Sequence, residues 1–176
     1  MKKNIIAMTV LASSVVGTTA YAADGQINFT GEITDAACEV TNSVGSPLEV
    51  TLGKISKTAF SSVGSKVSTT QFSLELKNCP DTVTSVKIKF DGATVNGDNS
   101  VLALSPDVDV AEGVGIQLSD ASNNVLPLFS ASQAYPLTKG AVNNLGFTAS
   151  YIAIVDVAEI KPGKANATAN FTINYN

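Results

Sequence analysis

Lys164-Ala165-Asn166-Ala167-Thr168-Ala169-Asn170-Phe171-Thr172-Ile173-Asn174-Tyr175-Asn176 closes the chain. Ala165, Ala167, Ala169, Phe171, Ile173 and Tyr175 alternate with polar residues throughout. That is the period of a strand with one buried and one wet face. Beyond Lys164 no charge or proline blunts its edge, and an unprotected edge is an aggregation hazard. The pattern therefore predicts that something covers it.

The same period recurs upstream. Leu48-Glu49-Val50-Thr51-Leu52, Phe72-Ser73-Leu74-Glu75-Leu76-Lys77 and Val86-Lys87-Ile88-Lys89-Phe90 alternate cleanly, and Val114-Gly115-Ile116-Gln117-Leu118 does so with Gly115 in a polar slot. Gly45-Ser46-Pro47, Asp91-Gly92, Asn96-Gly97-Asp98-Asn99, Ser122-Asn123-Asn124 and Lys139-Gly140 supply turns between them. Val108 to Gly113 has room for one short helical turn, and no other window after the leader has a 3.6-residue period. Many short strands at this spacing predict an all-β sandwich or barrel in a single domain.

The opposite end is the counterpart of the last strand. Gly25-Gln26-Ile27-Asn28-Phe29-Thr30-Gly31-Glu32-Ile33 places Ile27, Phe29, Gly31 and Ile33 on one face. The plain reading is a first strand bonded within its own domain. The sharper one is a strand meant for another molecule's sheet, with Gly31 marking a close backbone approach. Before it, Lys2 and Lys3, an uncharged apolar run from Ile5 to Val16, and Ala20-Tyr21-Ala22 have the order of a secretory signal peptide. The apolar run is too short for the roughly 20 residues of a membrane span. Expected boundaries are 1–22 for the signal, 23–34 for an N-terminal extension and 35–176 for the domain.

Composition narrows the chemistry. The chain has 11 basic residues against 15 acidic ones, no histidine and no tryptophan. Every basic residue is a lysine. This balance argues against nucleic acid as a partner, since phosphate contacts require clustered positive charge. Cys38 and Cys79, an even count in a chain read as exported, favour a disulfide. Two cysteines without histidine make a poor zinc site, and a cysteine nucleophile would lack its usual base. Asp107 and Asp109 read as a solvated loop rather than a cation site. Gly113-x-Gly115 lacks the third glycine and following helix of a nucleotide loop. Three Asn-x-Thr triplets (Asn28, Asn166 and Asn170) are incidental strand residues. Neither an enzyme nor a cofactor is expected.

Taken in order, these segments resemble the type 1 fimbrial (chaperone–usher) pilins along the whole mature chain. The resemblance runs through Gly31-Glu32-Ile33 with Ala36-Ala37-Cys38, Leu76-Lys77-Asn78-Cys79, Gly113 to Asp120, Phe147-Thr148-Ala149-Ser150-Tyr151, and Ala165 to Tyr175. Gly163, fourteenth from the end, and the penultimate Tyr175 match the family's chaperone-recognition pair. The resemblance implies an incomplete immunoglobulin-like β-sandwich completed in trans by a donor strand. It implies a groove filled first by a periplasmic chaperone and then, at an outer-membrane usher, by the extension of the next identical or related pilin. Ile27, Phe29, Gly31 and Ile33 would insert, with Gly25 as a candidate continuation of the row. Gly163, Phe171, Ile173 and Tyr175 would form the acceptor edge. Two departures are Ser150 before Tyr151, where the family often has arginine, and the apolar, acidic run from Asp156 to Ile160. The implied product is the major subunit of a cell-surface fimbrium serving adhesion. The alternatives are a minor adaptor or terminator pilin, or a self-contained immunoglobulin-like adhesin; tip adhesins generally carry an additional lectin domain and lack the N-terminal extension, whereas this chain is short and has that extension.

Overall fold

The computed structural model describes residues 25–31, 33 and 37–176; the expected signal, residues 1–22, lies outside the described residues. From residue 37 onward the chain forms nine strands. They are β1 (Glu39–Val40), β2 (Lys66–Lys77), β3 (Ser85–Asp91), β4 (Thr94–Val95), β5 (Asp98–Leu102), β6 (Val114–Asp120), β7 (Tyr135–Pro136), β8 (Asn143–Ala153) and β9 (Asn170–Tyr175). A six-stranded sheet has the order β1-β2-β8-β6-β5-β4, and a three-stranded sheet has the order β7-β3-β9. Every strand pairing is antiparallel.

Alternation decides which faces meet. In β3, Val86, Ile88 and Phe90 are buried while Lys87 and Lys89 are not. Leu74 and Leu76 of β2 and Leu145, Phe147 and Ala149 of β8 supply the facing layer. Phe90 crosses between sheets to stack edge-on against Phe147, with ring centroids 5.2 Å apart, a geometry that adds to simple burial. On central β6, Gly115 lies where a side chain would meet Val101 Cγ1 at 2.4 Å, which is why a glycine occupies the polar slot.

Cys38 and Cys79 are bonded, as their number and setting predict, with Cα atoms 4.1 Å apart and a sequence separation of 41. Closing a loop of this size contributes about 4 kcal/mol in the chain-entropy picture. Asn96-Gly97 turns β4 into β5 with both φ angles positive, the backbone that short hairpins require.

Three expectations need correction. Leu48 to Leu52 alternates but forms no strand, because among the described residues its backbone has no sheet partner. The last strand begins at Asn170 rather than Ala165, although half-buried and exposed residues alternate unbroken from Ala165 to Asn176. Val108 to Gly113 holds a turn at Val108 and Asp109 but no helix; Val110 and Glu112 bridge to Lys164 and Lys161. The one helical element among the described residues is a single 3-10 turn, Lys57–Ala59, capped by the Ser56 hydroxyl.

Candidate functional site

The sheets part along one side, leaving a groove of about 750 Å³. Its floor is apolar. Phe72 and Leu74 of β2, Ile116 and Leu118 of β6, Ala149 of β8 and Phe90 of β3 lie at its base. One wall is the chain from Ala167 to Tyr175, which presents Ala167, Ala169, Phe171, Ile173 and Tyr175 half-buried. β9 is an edge strand bonded to β3 alone (Phe171 opposite Phe90, Ile173 opposite Ile88). Its other edge has no strand beside it among the described residues.

The opposite wall is the segment that was expected to be a strand. Leu48, Val50 and Leu52 line the groove. Among the described residues, the backbone groups from Pro47 to Thr51 make no hydrogen bond. Both ends of this wall are tied down. At one end Thr41 N–H donates to the Glu75 carbonyl at 3.1 Å, and Glu75 N–H donates to Asn42 Oδ1 at 2.9 Å. At the other, Leu52 is buried and its carbonyl accepts from the Ser68 hydroxyl. The site is therefore two extended backbones flanking an apolar trough, with the hydrogen-bonding edge of each unused among the described residues. Unpaired backbone groups beside exposed apolar surface are costly, and a single inserted strand would satisfy both together.

Gly163 sits apart from that trough. With Lys164, Ala165 and Asn166 it borders a separate cavity of about 470 Å³. A Cβ at Gly163 would fall 2.5 Å from the Asp109 carbonyl and 2.6 Å from the Ala111 nitrogen. The glycine is thus required by the backbone of residues 109–111, which is pinned here by Lys164 N–H to Asp109 O and Ala111 N–H to Lys164 O. Lys164 also pairs with Asp107 at 3.0 Å, and that contact holds the Asp107 carboxyl below the ordinary aspartate range.

The extension is described by itself. Gly25 to Gly31 and Ile33 have no regular secondary structure, and Ile27, Phe29 and Ile33 are 77%, 91% and 99% exposed. A side chain at Gly31 would meet nothing within 4 Å. Three large apolar residues in one alternating row are left in water, a costly arrangement for a finished fold.

Phe171, Ile173 and Tyr175, named from the sequence, line this groove; the Leu48 to Leu52 wall and the floor were not named. The alternation at 48–52 was visible. It carries no information about whether a sheet neighbour exists.

Comparison with known proteins bears on this geometry. Residues 27–176 match the family described as "Fimbrial protein". The chain is 35% identical to Long polar fimbria protein A of Salmonella typhimurium, covering 99% of this chain and 97% of that protein. It is 34% identical to the probable major fimbrial subunit LpfA of Escherichia coli O157:H7, with 99% and 97% coverage. Among solved structures, a chaperone–usher pilus subunit superposes with a TM-score of 0.63 at 25% identity, covering 91% of this chain and all of that one. The P pilus rod subunit PapA superposes with a TM-score of 0.63 at 25% identity, covering 79% and 99%. These neighbours are pilins with an incomplete immunoglobulin-like fold, which is how the open trough between β9 and residues 48–52 is to be understood. Sequence, sandwich topology and the unfilled groove agree, and this chain belongs to the fimbrial protein family.

Proposed function

We propose that this chain is a rod-forming structural subunit in which residues 23–34 of one copy fill the groove of the next. Membership of the family makes it a pilin of a surface fimbrium, and donor-strand exchange is the mechanism of this fold. The proposal adds the residues. Ile27, Phe29, Gly31 and Ile33 insert, with Gly31 at the closest backbone approach. The acceptor is the edge of Phe171, Ile173 and Tyr175 on one side and Leu48 to Leu52 on the other.

What carries this reading is the trough with unused hydrogen-bonding edges on both walls. An inserted strand gains ladder bonds on both sides, and each of Ile27, Phe29 and Ile33 gains about 2 kcal/mol from full burial. Seven residues from Ile27 to Ile33 reach about 20 Å when extended, enough to run beside the six residues of β9. The contact is head-to-tail and does not close, so growth is linear.

Before assembly the same trough would be filled by a periplasmic chaperone, with transfer at an outer-membrane usher and export directed by residues 1–22. The relatives named above are structural subunits and not enzymes. A major rather than minor role is favoured by the small Ala, Ser, Thr and Gly residues that predominate and by the likeness to a probable major subunit and a rod subunit.

The test moves residues 23–34 to a position after Asn176, joined by a short flexible linker. The rearranged chain is expected to be monomeric and to melt well above the unrearranged one. Equal melting of the two would refute the missing-strand reading.

A further inference from the structure

Ser68 lies inside β2 with φ 55, a backbone region costly for a residue with a Cβ. It sits where the β2–β8 register slips. Val67 is opposite Tyr151 and Thr70 is opposite Ala149, so Ser68 and Thr69 together face Ser150. This is a β-bulge, and a positive-φ first position in such a bulge is ordinarily glycine. Serine brings something glycine lacks: its hydroxyl donates to the carbonyl of Leu52, the last residue of the groove wall. Thr69, the second bulge residue, pairs its hydroxyl with Ser150 Oγ at 2.8 Å.

We infer that Ser68 is a positioning residue for donor-strand exchange, an inference that rests on the proposed function above. Of the two ties on the wall, the one at Thr41 and Asn42 is backbone and amide bonding to β2. The tie at Leu52 hangs on one side-chain hydroxyl. Between them the backbone from Pro47 to Thr51 has no hydrogen-bond partner among the described residues. Beyond Leu52, Gly53 turns away with φ 77. Releasing the Leu52 carbonyl would let the wall drift from the extended line that an incoming strand must match. Strain kept at a residue whose side chain serves the binding edge is the signature of a site feature rather than of packing alone.

The test uses the full chain assembling into polymer, with Ser68→Gly and Ser68→Ala. Glycine relieves the backbone and removes the hydroxyl; alanine removes the hydroxyl and keeps the strain. Both are expected to slow assembly roughly three- to tenfold, the kinetic equivalent of one hydrogen bond. Amide exchange in β8 should stay at the wild-type level, marking an intact sandwich. If Ser68→Gly assembles at the wild-type rate or faster, the hydroxyl has no positioning role and the inference is overturned. Amide exchange at Glu49 to Leu52 separates the two ideas. If wild-type polymer leaves these amides as unprotected as they are in monomer, no strand docks on that wall, and the proposed function fails before Ser68 is at issue.

Discussion

Gly163 and Gly115 hold positions where a methyl group would meet another part of the same chain. The obstacle at Gly163 is three backbone atoms of residues 109–111, at 2.5 to 2.7 Å, and backbone cannot rotate away as a side chain can. Gly163→Val is therefore expected to cost about 2–4 kcal/mol, read as a fall in thermal midpoint of the rearranged, donor-completed chain. An unchanged midpoint would mean that the 109–111 segment is free to shift. Three tyrosines give a second prediction. Burial raises the phenol pKa of Tyr135, Tyr151 and Tyr175; the Asp120 charge adds to the rise at Tyr135, and the Cys38 backbone partly offsets it at Tyr175. A pKa raised by folding means that the folded state holds the proton more tightly. Their stabilising contribution is complete below the unfolded value near 10 and is lost as pH rises through the folded values. Stability should fall above about pH 10, and Tyr→Phe at these sites should flatten that limb of a pH–denaturation profile.

At the scale of elements, β2 shows how much of this structure could be read in advance. Phe72, Leu74 and Leu76 mark its buried face, and that face was plain in the sequence. Val67 also packs against the core, yet it stands five positions before Phe72, an odd step that a regular strand cannot make on one face. That phase change is the written trace of the Ser68-Thr69 bulge and was open to being noticed. The wall at Leu48 to Leu52 was not open in the same way, because period-2 patterning reports a buried face and is silent about hydrogen-bond partners. Nor could alternation locate where pairing begins in the last strand: it runs from Ala165, but β3 reaches back only as far as Asn170. On the groove side, Ile173→Ser should weaken acceptance of a donor by about 2 kcal/mol, seen as faster release of subunits from polymer, with little change in amide exchange at β6 and β8. In the same spirit, a bulky residue at Gly31 should stop polymer growth; normal filaments from Gly31→Leu would count against the assigned row.

For the whole molecule, the sandwich is sound on one side and unfinished on the other. The disulfide was legible from number and compartment, and the incomplete sandwich from resemblance. The location of the trough, and its second wall, required coordinates. Replacing both Cys38 and Cys79 with serine should cost about 4 kcal/mol, measured as a lowered denaturant midpoint. A loss near zero would mean that the unfolded chain is already restrained without the bridge.

That bridge has a mechanical consequence. A subunit pulled along a filament by its inserted N-terminal segment would feel tension first at Cys38, the entrance to its sandwich. β1, with two residues bonded to Lys77 and Leu76, would unzip readily under such a pull. The sulfur link sends the load instead straight to Cys79, just past the end of the twelve-residue β2. A pull arriving along the chain at Cys38 therefore bypasses residues 39–78 and does not peel β1 and the wall at Leu48 to Leu52 away from β2. The receiving groove of a stretched subunit would keep its shape while the filament bears weight.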